Sequence, residues 1–480
     1  MEPIYRGKSV VILGLARQGA ALARYLAQAG AHVTVSDRQT QDKLAASLAA
    51  LGDLTIEYVL GDHPLTLLDR ADLLCLSGGV PADLPIVLEA RRRGVPVSND
   101  SQIFLEVCPP GVTVVGITGS AGKTTTTMLV GRMLMAKDEG GRMRAEEKQE
   151  FHPSRVWVGG NIGNPLIADV HRGQMRAGDR VVMELSSFQL ELMTRSPNVA
   201  AVLNITPNHL DRHRTMEAYT AAKSNILRYQ TPDDVAVLGW DDAGARRLTP
   251  LIRGRLAFFS REVEVDQGAF LRGRDLVWRW NDREQVVCSI GDIQLRGQHN
   301  LLNVLAACAI SGAALTRSGA EAEAAPAALR AAIVDFKGVE HRLELVRERG
   351  GVKWYNDSIA TAPERVVAAL RSFDEPVVLL AGGRDKNLPW DELARLAKER
   401  VKHVVLFGEA SALIQEALAK AQMDPARYTR GGSLAEAVPV AAQHARNGDV
   451  VLLSPGGTSF DEFTDFAERG EKFREWVRAL

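Results

Sequence analysis

Several protein classes are excluded by what this chain has little of. Only four cysteines occur in 480 residues. Cys75, Cys108, Cys288 and Cys308 lie far apart, with no CxxC pair and no histidine at zinc-site spacing. That excludes a disulfide framework and a zinc finger, and the four read as reduced thiols, mostly in the core. Charge of one sign is also lacking: the formal net charge is -1, so no basic surplus points to nucleic acid. No stretch reaches the roughly 18 uninterrupted apolar residues of a membrane span. The opening MEPIYRGKSVVILGLARQG turns at a glycine after a short apolar run, without the h-region and cleavage site of a signal peptide. These absences lead to the expectation of a cytoplasmic protein.

What is present is the balance of a soluble globular chain, with 46% hydrophobic and 24% charged residues. At roughly 100–200 residues per domain the length suggests about three domains. The first segment alternates SVVILG, AALARYLAQAG, HVTVSD, LLCLSGG and VPVSND, the pattern of parallel strands with crossover helices. A second α/β segment opens at VTVVGITGSAGKTTTTMLVGRML, near Gly111. Between Lys137 and Phe151 the residues KDEGGRMRAEEKQEF carry no apolar period and read as an exposed loop or insertion. The alanine-rich TRSGAEAEAAPAAL reads as helix and loop. A third α/β unit follows HRLELV, with strands at PVVLLAGG, HVVLFG and DVVLLSPGG.

Chemistry concentrates in three places. Gly116-Ile-Thr-Gly119-Ser-Ala-Gly122-Lys123-Thr124 stands between a strand and a helix. Glycines there turn backbone N–H groups inward around phosphate, the lysine adds a point charge and the threonine hydroxyl suits Mg²⁺. Its first glycine departs from the general phosphate-loop spacing, and a chance glycine-rich turn is the bland alternative. Gly14-Leu15-Ala16-Arg17-Gln18-Gly19, with Asp37 ending the next strand, looks like a dinucleotide fingerprint, but Ala16 replaces the middle glycine. By itself it fits NAD or some other nucleotide equally well. Glu184 in MELSSFQLE and His209 in NITPNHLD follow the strands VVM and AAVL. Singly they read as a solvated strand-end acid and a helix-cap histidine; together, beside a phosphate loop, they suit Mg²⁺ and a substrate.

TGSAGKTTTT, GGNIGNP, ELSSFQLE, NITPNHLDRH, AAKSNI, GQHNLLNVLAA, EHRLE and NDSIATAP occur in that order along the chain. In this it resembles the Mur ligases and their folylpolyglutamate synthetase relatives, over essentially its whole length. The resemblance implies an α/β fold in three domains: a Rossmann-like UDP-substrate domain at 1–110, a central ATP-binding domain at 111–337 and a Rossmann-like glutamate domain at 338–480. It implies ATP and two Mg²⁺ ions as cofactors, UDP-N-acetylmuramoyl-L-alanine and glutamate as substrates, and a monomer. The GLARQG turn, ELSSFQLE and the terminal LLSPGGTSFDEFTDFAERGEKF resemble most the branch that uses D-glutamate, with L-glutamate and a folylpolyglutamate-like ligase as alternatives.

Carried onto matching positions, the resemblance assigns Gly119, Gly122, Lys123 and Thr124 to the phosphates and Asn300 and Asn303 to the adenine. Arg342 and Asp357 would reach the phosphates and ribose. Thr124, Glu184 and His209 would surround Mg²⁺, joined by Lys223 as a carbamate. Leu15, Ala16, Asp37, Arg38 and Ser77 would hold the uridine diphosphate, with Asn161, Ser186 and Gln189 further along the substrate. Thr361, Lys386, Ser459 and Phe466 would hold glutamate. Ala121 stands where the family usually has Asn, Ile359 where it often has Lys, and SPGGTS and GGRDKNLPW replace commoner wordings.

The implied reaction phosphorylates a carboxylate and lets an amine displace the phosphate, with Lys123 and Mg²⁺ stabilising charge. The last domain would close over ATP. A nicotinamide dehydrogenase leaves the phosphate loop and third domain unexplained, and a nucleotide switch has no use for glutamate.

Overall fold

The computed structural model describes residues 4–140, 155–171, 173–317 and 325–480. Its chain separates into two compact units, Met1–Ile293 with His299–Val334, and Gln294–Gln298 with Asp335–Leu480.

The first unit holds two sheets. One has five parallel strands, ordered in space Ile56–Leu60, His32–Asp37, Ser9–Leu13, Leu73–Leu76 and Val97–Asn99. Runs such as SVVIL form its centre because a parallel strand is covered on both faces and needs apolar side chains on each. Ile56–Leu60 was not anticipated: IEYVL sits at the sheet edge with its residues half-exposed, so its apolar signal is diluted. The order reverses between Ser9–Leu13 and Leu73–Leu76, which opens a crevice at their carboxyl ends.

The other sheet is nine-stranded. Val156–Gly160, Arg180–Glu184, Thr113–Thr118, Val199–Val202, Val235–Gly239, Arg255–Ser260 and Gly268–Arg272 run parallel in that order. Asp275–Trp280 and Arg283–Ser289 then extend it antiparallel. This hairpin extension was also not anticipated. It buries Trp278 and Trp280, and Gly312 makes room for the Trp278 indole.

Gly312 lies in the helix Gln298–Arg317, which is long and apolar enough to cross a membrane by composition. However, 78% of its most apolar window is buried inside the protein. The helix after the phosphate loop, Lys123–Gly140, continues past Lys137, so the polar insertion does not begin as loop there. The rest of that insertion, and part of the alanine-rich segment, lie outside the described residues.

The second unit has a six-stranded sheet ordered Glu344–Arg349, Val352–Asn356, Val450–Gly456, Val377–Gly382, Val401–Phe407 and Tyr428–Gly432. Only the first strand is antiparallel to its neighbour. The predicted strands PVVLLAGG, HVVLFG and DVVLLSPGG are its central members, buried along their length.

Candidate active site

The strand Thr113–Thr118 feeds a glycine turn, and a helix begins at Lys123. Gly122 adopts φ +83°, and a Cβ there would strike the Asn303 side-chain oxygen. Only glycine meets both demands. This close approach packs Asn303 against the loop, and its amide donates to Asn300 Oδ1 at 3.0 Å. The structure therefore brings Gly122 against Asn303 and its helix neighbour Asn300, which lie far from it in sequence.

Lys123 Nζ donates to the Gly119 carbonyl at 2.9 Å. Lys223 Nζ donates to the same carbonyl at 3.0 Å and to Thr118 Oγ1 at 3.1 Å. Lys223 is 1% exposed. Burial, and secondly the neighbouring Lys123 charge, hold its amine well below the usual lysine range, against the opposing pull of Glu184. Glu184 ends the strand Arg180–Glu184 and is itself buried. Its Oε2 accepts from Thr124 Oγ1 at 2.8 Å and its Oε1 from Asn161 Nδ2 at 2.9 Å. Thus Lys123, Thr124, Asn161, Glu184 and Lys223 form one connected group at the carboxyl ends of adjacent parallel strands.

Tyr219 is a member of this group that sequence reasoning missed. Its hydroxyl meets Ser120 Oγ at 3.0 Å and its ring lies 4.8 Å from Lys223 Nζ. The available signal was spacing: Tyr219 and Lys223 are four apart on the helix Met216–Arg228, on one face. Ala121, where the family usually has Asn, gives its N–H to Asn204 Oδ1 at 2.8 Å.

His209 sits at φ +53° just before the short helix Leu210–His213, exposed, with its ring 5.1 Å from Phe188 and edge-on. Phe188 also stacks on His213 at 5.3 Å, and Arg212 covers its ring at 4.1 Å. Ser186 and Gln189 form a reciprocal capping box on the helix Ser187–Leu190. Gln189 is buried and donates to Ser101 Oγ at 2.9 Å, so its side chain is committed to scaffolding rather than open to a substrate.

In the five-stranded sheet, both Asp37 oxygens accept backbone N–H groups, from Leu15 at 2.7 Å and Gln39 at 2.8 Å. Asp37 thereby fixes the glycine turn. The Leu15 side chain is fully buried, which leaves only its backbone for a ligand; Ala16 and Arg38 are exposed beside it. Gly14, at φ +90°, lets the turn approach Ser77, whose Cβ would lie 3.0 Å from an added Cβ.

In the second unit, Leu343 N–H donates to Asp357 Oδ1 at 3.2 Å, and Ser454 Oγ donates to Oδ2 at 2.8 Å. His341 and Leu343, on either side of Arg342, both have positive φ, so Asp357 secures a strained turn that carries Arg342. Burial pushes the Asp357 carboxyl up to about 7, against the pull of these hydrogen bonds and of Arg342 and Arg365. Lys386 Nζ meets Thr361 Oγ1 at 3.3 Å. Ser459 is buried and Phe466 is partly exposed; they stand on separate segments. Those segments are joined through Ser358 and the fully buried Arg469. Ser358 Oγ donates to the Phe466 carbonyl at 2.8 Å, and Arg469 donates to Ser358 O at 2.8 Å and Gly457 O at 3.2 Å. Nothing in AERGEKF marks Arg469 as buried.

Three family descriptions match along the chain: a Mur ligase MurD-like N-terminal domain over residues 8–99, a Mur ligase middle domain over 117–311, and a Mur ligase glutamate ligase domain over 341–457. The UDP-N-acetylmuramoylalanine–D-glutamate ligase of Symbiobacterium thermophilum is 42% identical over 98% of this chain and 97% of its own. That of Acetivibrio thermocellus is 39% identical over 99% and 97%. The solved UDP-N-acetylmuramate–alanine ligase MurC of Thermotoga maritima shares the fold with a TM-score of 0.56 at 20% identity, covering 98% of this chain and 99% of its own. With all three domains matched in order and relatives aligned end to end, the chain belongs to the Mur ligase family, in its MurD-type branch.

Proposed function

We propose that this chain joins D-glutamate to UDP-N-acetylmuramoyl-L-alanine at the expense of ATP, a step in making the peptidoglycan precursor, as a cytoplasmic monomer. The observation that carries the reading is the convergence of Lys123, Thr124, Glu184 and Lys223 on one phosphate loop. Residues 1–110 hold the uridine diphosphate end, 111–337 hold ATP and 338–480 hold glutamate.

The substrate carboxylate attacks the γ-phosphorus of ATP, and the bond to the β-phosphate oxygen breaks, giving an acyl phosphate and ADP. The glutamate amine then adds to the acyl carbon and expels phosphate, losing a proton as the amide forms. Lys123 stabilises charge on the transferring phosphoryl group. His209 orients the substrate and stabilises charge.

The donor set suits Mg²⁺: Glu184 is a buried carboxylate already joined to a threonine hydroxyl, as a hard cation prefers. Thr124, Glu184, His209 and Lys223 would hold one or two ions, which neutralise phosphate charge when bound. Lys223 is held toward its neutral amine, the form that adds carbon dioxide to give a carbamate and a proton. Thr361 and Lys386 pair with the glutamate side chain, aided by Ser459 and Phe466, since a carboxylate needs a cation or several donors.

The test is phosphate release from ATP with UDP-N-acetylmuramoyl-L-alanine and a panel of amino acids, including both glutamate enantiomers. D-Glutamate should support the fastest release, and Lys386→Ala should raise its KM without changing that for ATP. Release that ignores amino acids would point to a nucleotide switch, and a preference for L-glutamate would overturn the stereochemical reading.

A further inference from the structure

Two side chains fasten the turns of the five-stranded sheet to the loops of the nine-stranded sheet, and neither belongs to the groups assigned above. Gln18, in the first turn of the helix Arg17–Gln28, donates from Nε2 to the Gly160 carbonyl at 3.2 Å. The same amide lies so close to Gly78 that a Cβ there would strike it. Gln18 is thus wedged between the residue after Ser77 and the residue before Asn161. Arg212 donates from Nη2 to the Val80 carbonyl at 2.7 Å, while its guanidinium covers the Phe188 ring that His209 and His213 also touch.

One short segment, 77–80, is therefore gripped from two directions. Gln18 ties it toward Asn161, whose amide holds Glu184; Arg212 ties it toward the aromatic group around His209. Separately, a polar layer already joins these two parts of the unit. Asn99 Nδ2 donates to the Gln189 carbonyl at 2.8 Å, Gln189 Nε2 to Ser101 at 2.9 Å and Thr194 N–H to Gln102 Oε1 at 2.9 Å. Cohesion does not require the two clasps. Their distinctive property is what they join: the 77–80 segment that begins at Ser77 on one side, and Gly160 beside Asn161 and the Phe188 ring beside His209 on the other.

We propose that Gln18 and Arg212 are positioning residues that set the register between these two ends of the substrate. The inference rests on the proposed function. A substrate anchored at its nucleotide end gains rate at its carboxyl end only if the span between the anchor and the phosphate loop is fixed. The clasps fix it, so binding energy from the nucleotide is realised as alignment of the carboxylate with the γ-phosphate.

The experiment uses the full chain carrying Arg212→Met, Gln18→Leu or both, assayed for ligation and for binding of UDP alone. UDP touches only the anchor, so its affinity should stay within about twofold of the parent. kcat with UDP-N-acetylmuramoyl-L-alanine should fall roughly tenfold in each single variant and further in the double, as expected for a misplaced reactant. KM for ATP should not move. A double variant with parental kcat would overturn the proposal, as would UDP affinity falling in step with kcat, because the residues would then serve the nucleotide itself. If the parent chain makes no ligated product, the proposed function fails instead.

Discussion

Asp357 offers a test in which the sign of the effect follows from the structure. Its carboxyl is fully buried and rises from an ordinary 3.8 to about 7, so the fold favours its protonated form. An unfolded chain releases that proton near pH 4. Between these two values the native state holds more protons than the unfolded state, and stability is lost as pH rises. Above the folded value the loss is complete, at about 4 kcal/mol for a shift of this size. Near pH 5 only about 1.5 kcal/mol has been lost. Asp357→Asn removes the penalty and keeps both contacts, since an amide oxygen accepts the Leu343 N–H and an amide N–H meets the Ser454 hydroxyl. For a unit of this size roughly 2–4 °C accompanies each kcal/mol. Melting of the second unit should therefore rise by at least about 5 °C near pH 8.5, and the gain should shrink by more than half near pH 5. Calorimetry at the two pH values reads the difference. An equal gain at both, or a loss at alkaline pH, would mean that Arg342 and Arg365 keep the carboxylate charged and would refute the reasoning.

Other perturbations have equally direct readouts. Lys123→Ala should lower ligation by on the order of 10²–10⁴ while circular dichroism is unchanged, since one charge opposite a transferring phosphoryl group is worth several kcal/mol; near-normal ligation would sink its role. Lys223→Glu should keep some metal-dependent activity by restoring an anionic oxygen, whereas Lys223→Arg should not; full activity with arginine would defeat the carbamate. Gly122→Ala should raise the KM for ATP at least tenfold, because it forces a left-handed alanine, at about 1–2 kcal/mol, into the Asn303 side chain; an unchanged KM would show that the loop yields freely.

Legibility from sequence followed local density of signal. GITGSAGKT was readable because glycine, lysine and hydroxyl stand within one turn, and ELSSFQLE because Glu184 ends an apolar run. Central parallel strands were readable for the same reason, as continuous β-branched runs. The hairpin from Asp275 to Ser289 was missed because its charged residues, Arg279, Arg283 and Glu284, interrupt the apolar pattern, while Trp278 is buried against Gly312 of a helix elsewhere in the chain. Arg469 was invisible because its fate depends on carbonyls over 10 and over 100 residues away. Gln189 shows the converse limit. Its motif was legible, but not whether the side chain faces a substrate or a capping box.

Lys223 in the first unit and Asp357 in the second are buried and held toward their neutral forms, Lys223 by burial and by Lys123, Asp357 by burial alone. Lys223 reaches from the helix Met216–Arg228 to Thr118 and Gly119 at the end of the strand Thr113–Thr118, and Asp357 directly follows the strand Val352–Asn356, so both stand at the carboxyl ends of parallel strands, where such folds bind ligands. Two lysines directed at the single Gly119 carbonyl form a poor arrangement for an apo protein, since each raises the cost of the other's charge. It becomes favourable once anionic phosphate arrives, or once one lysine is converted into an anion. The cost is offset elsewhere, by the continuous apolar strands on which the loop is mounted and by the Asn204 and Tyr219 bonds that leave it little room to relax. Donors that cannot move away from one another are donors already in place when charge develops on the phosphoryl group, and that readiness is the electrostatic part of catalysis.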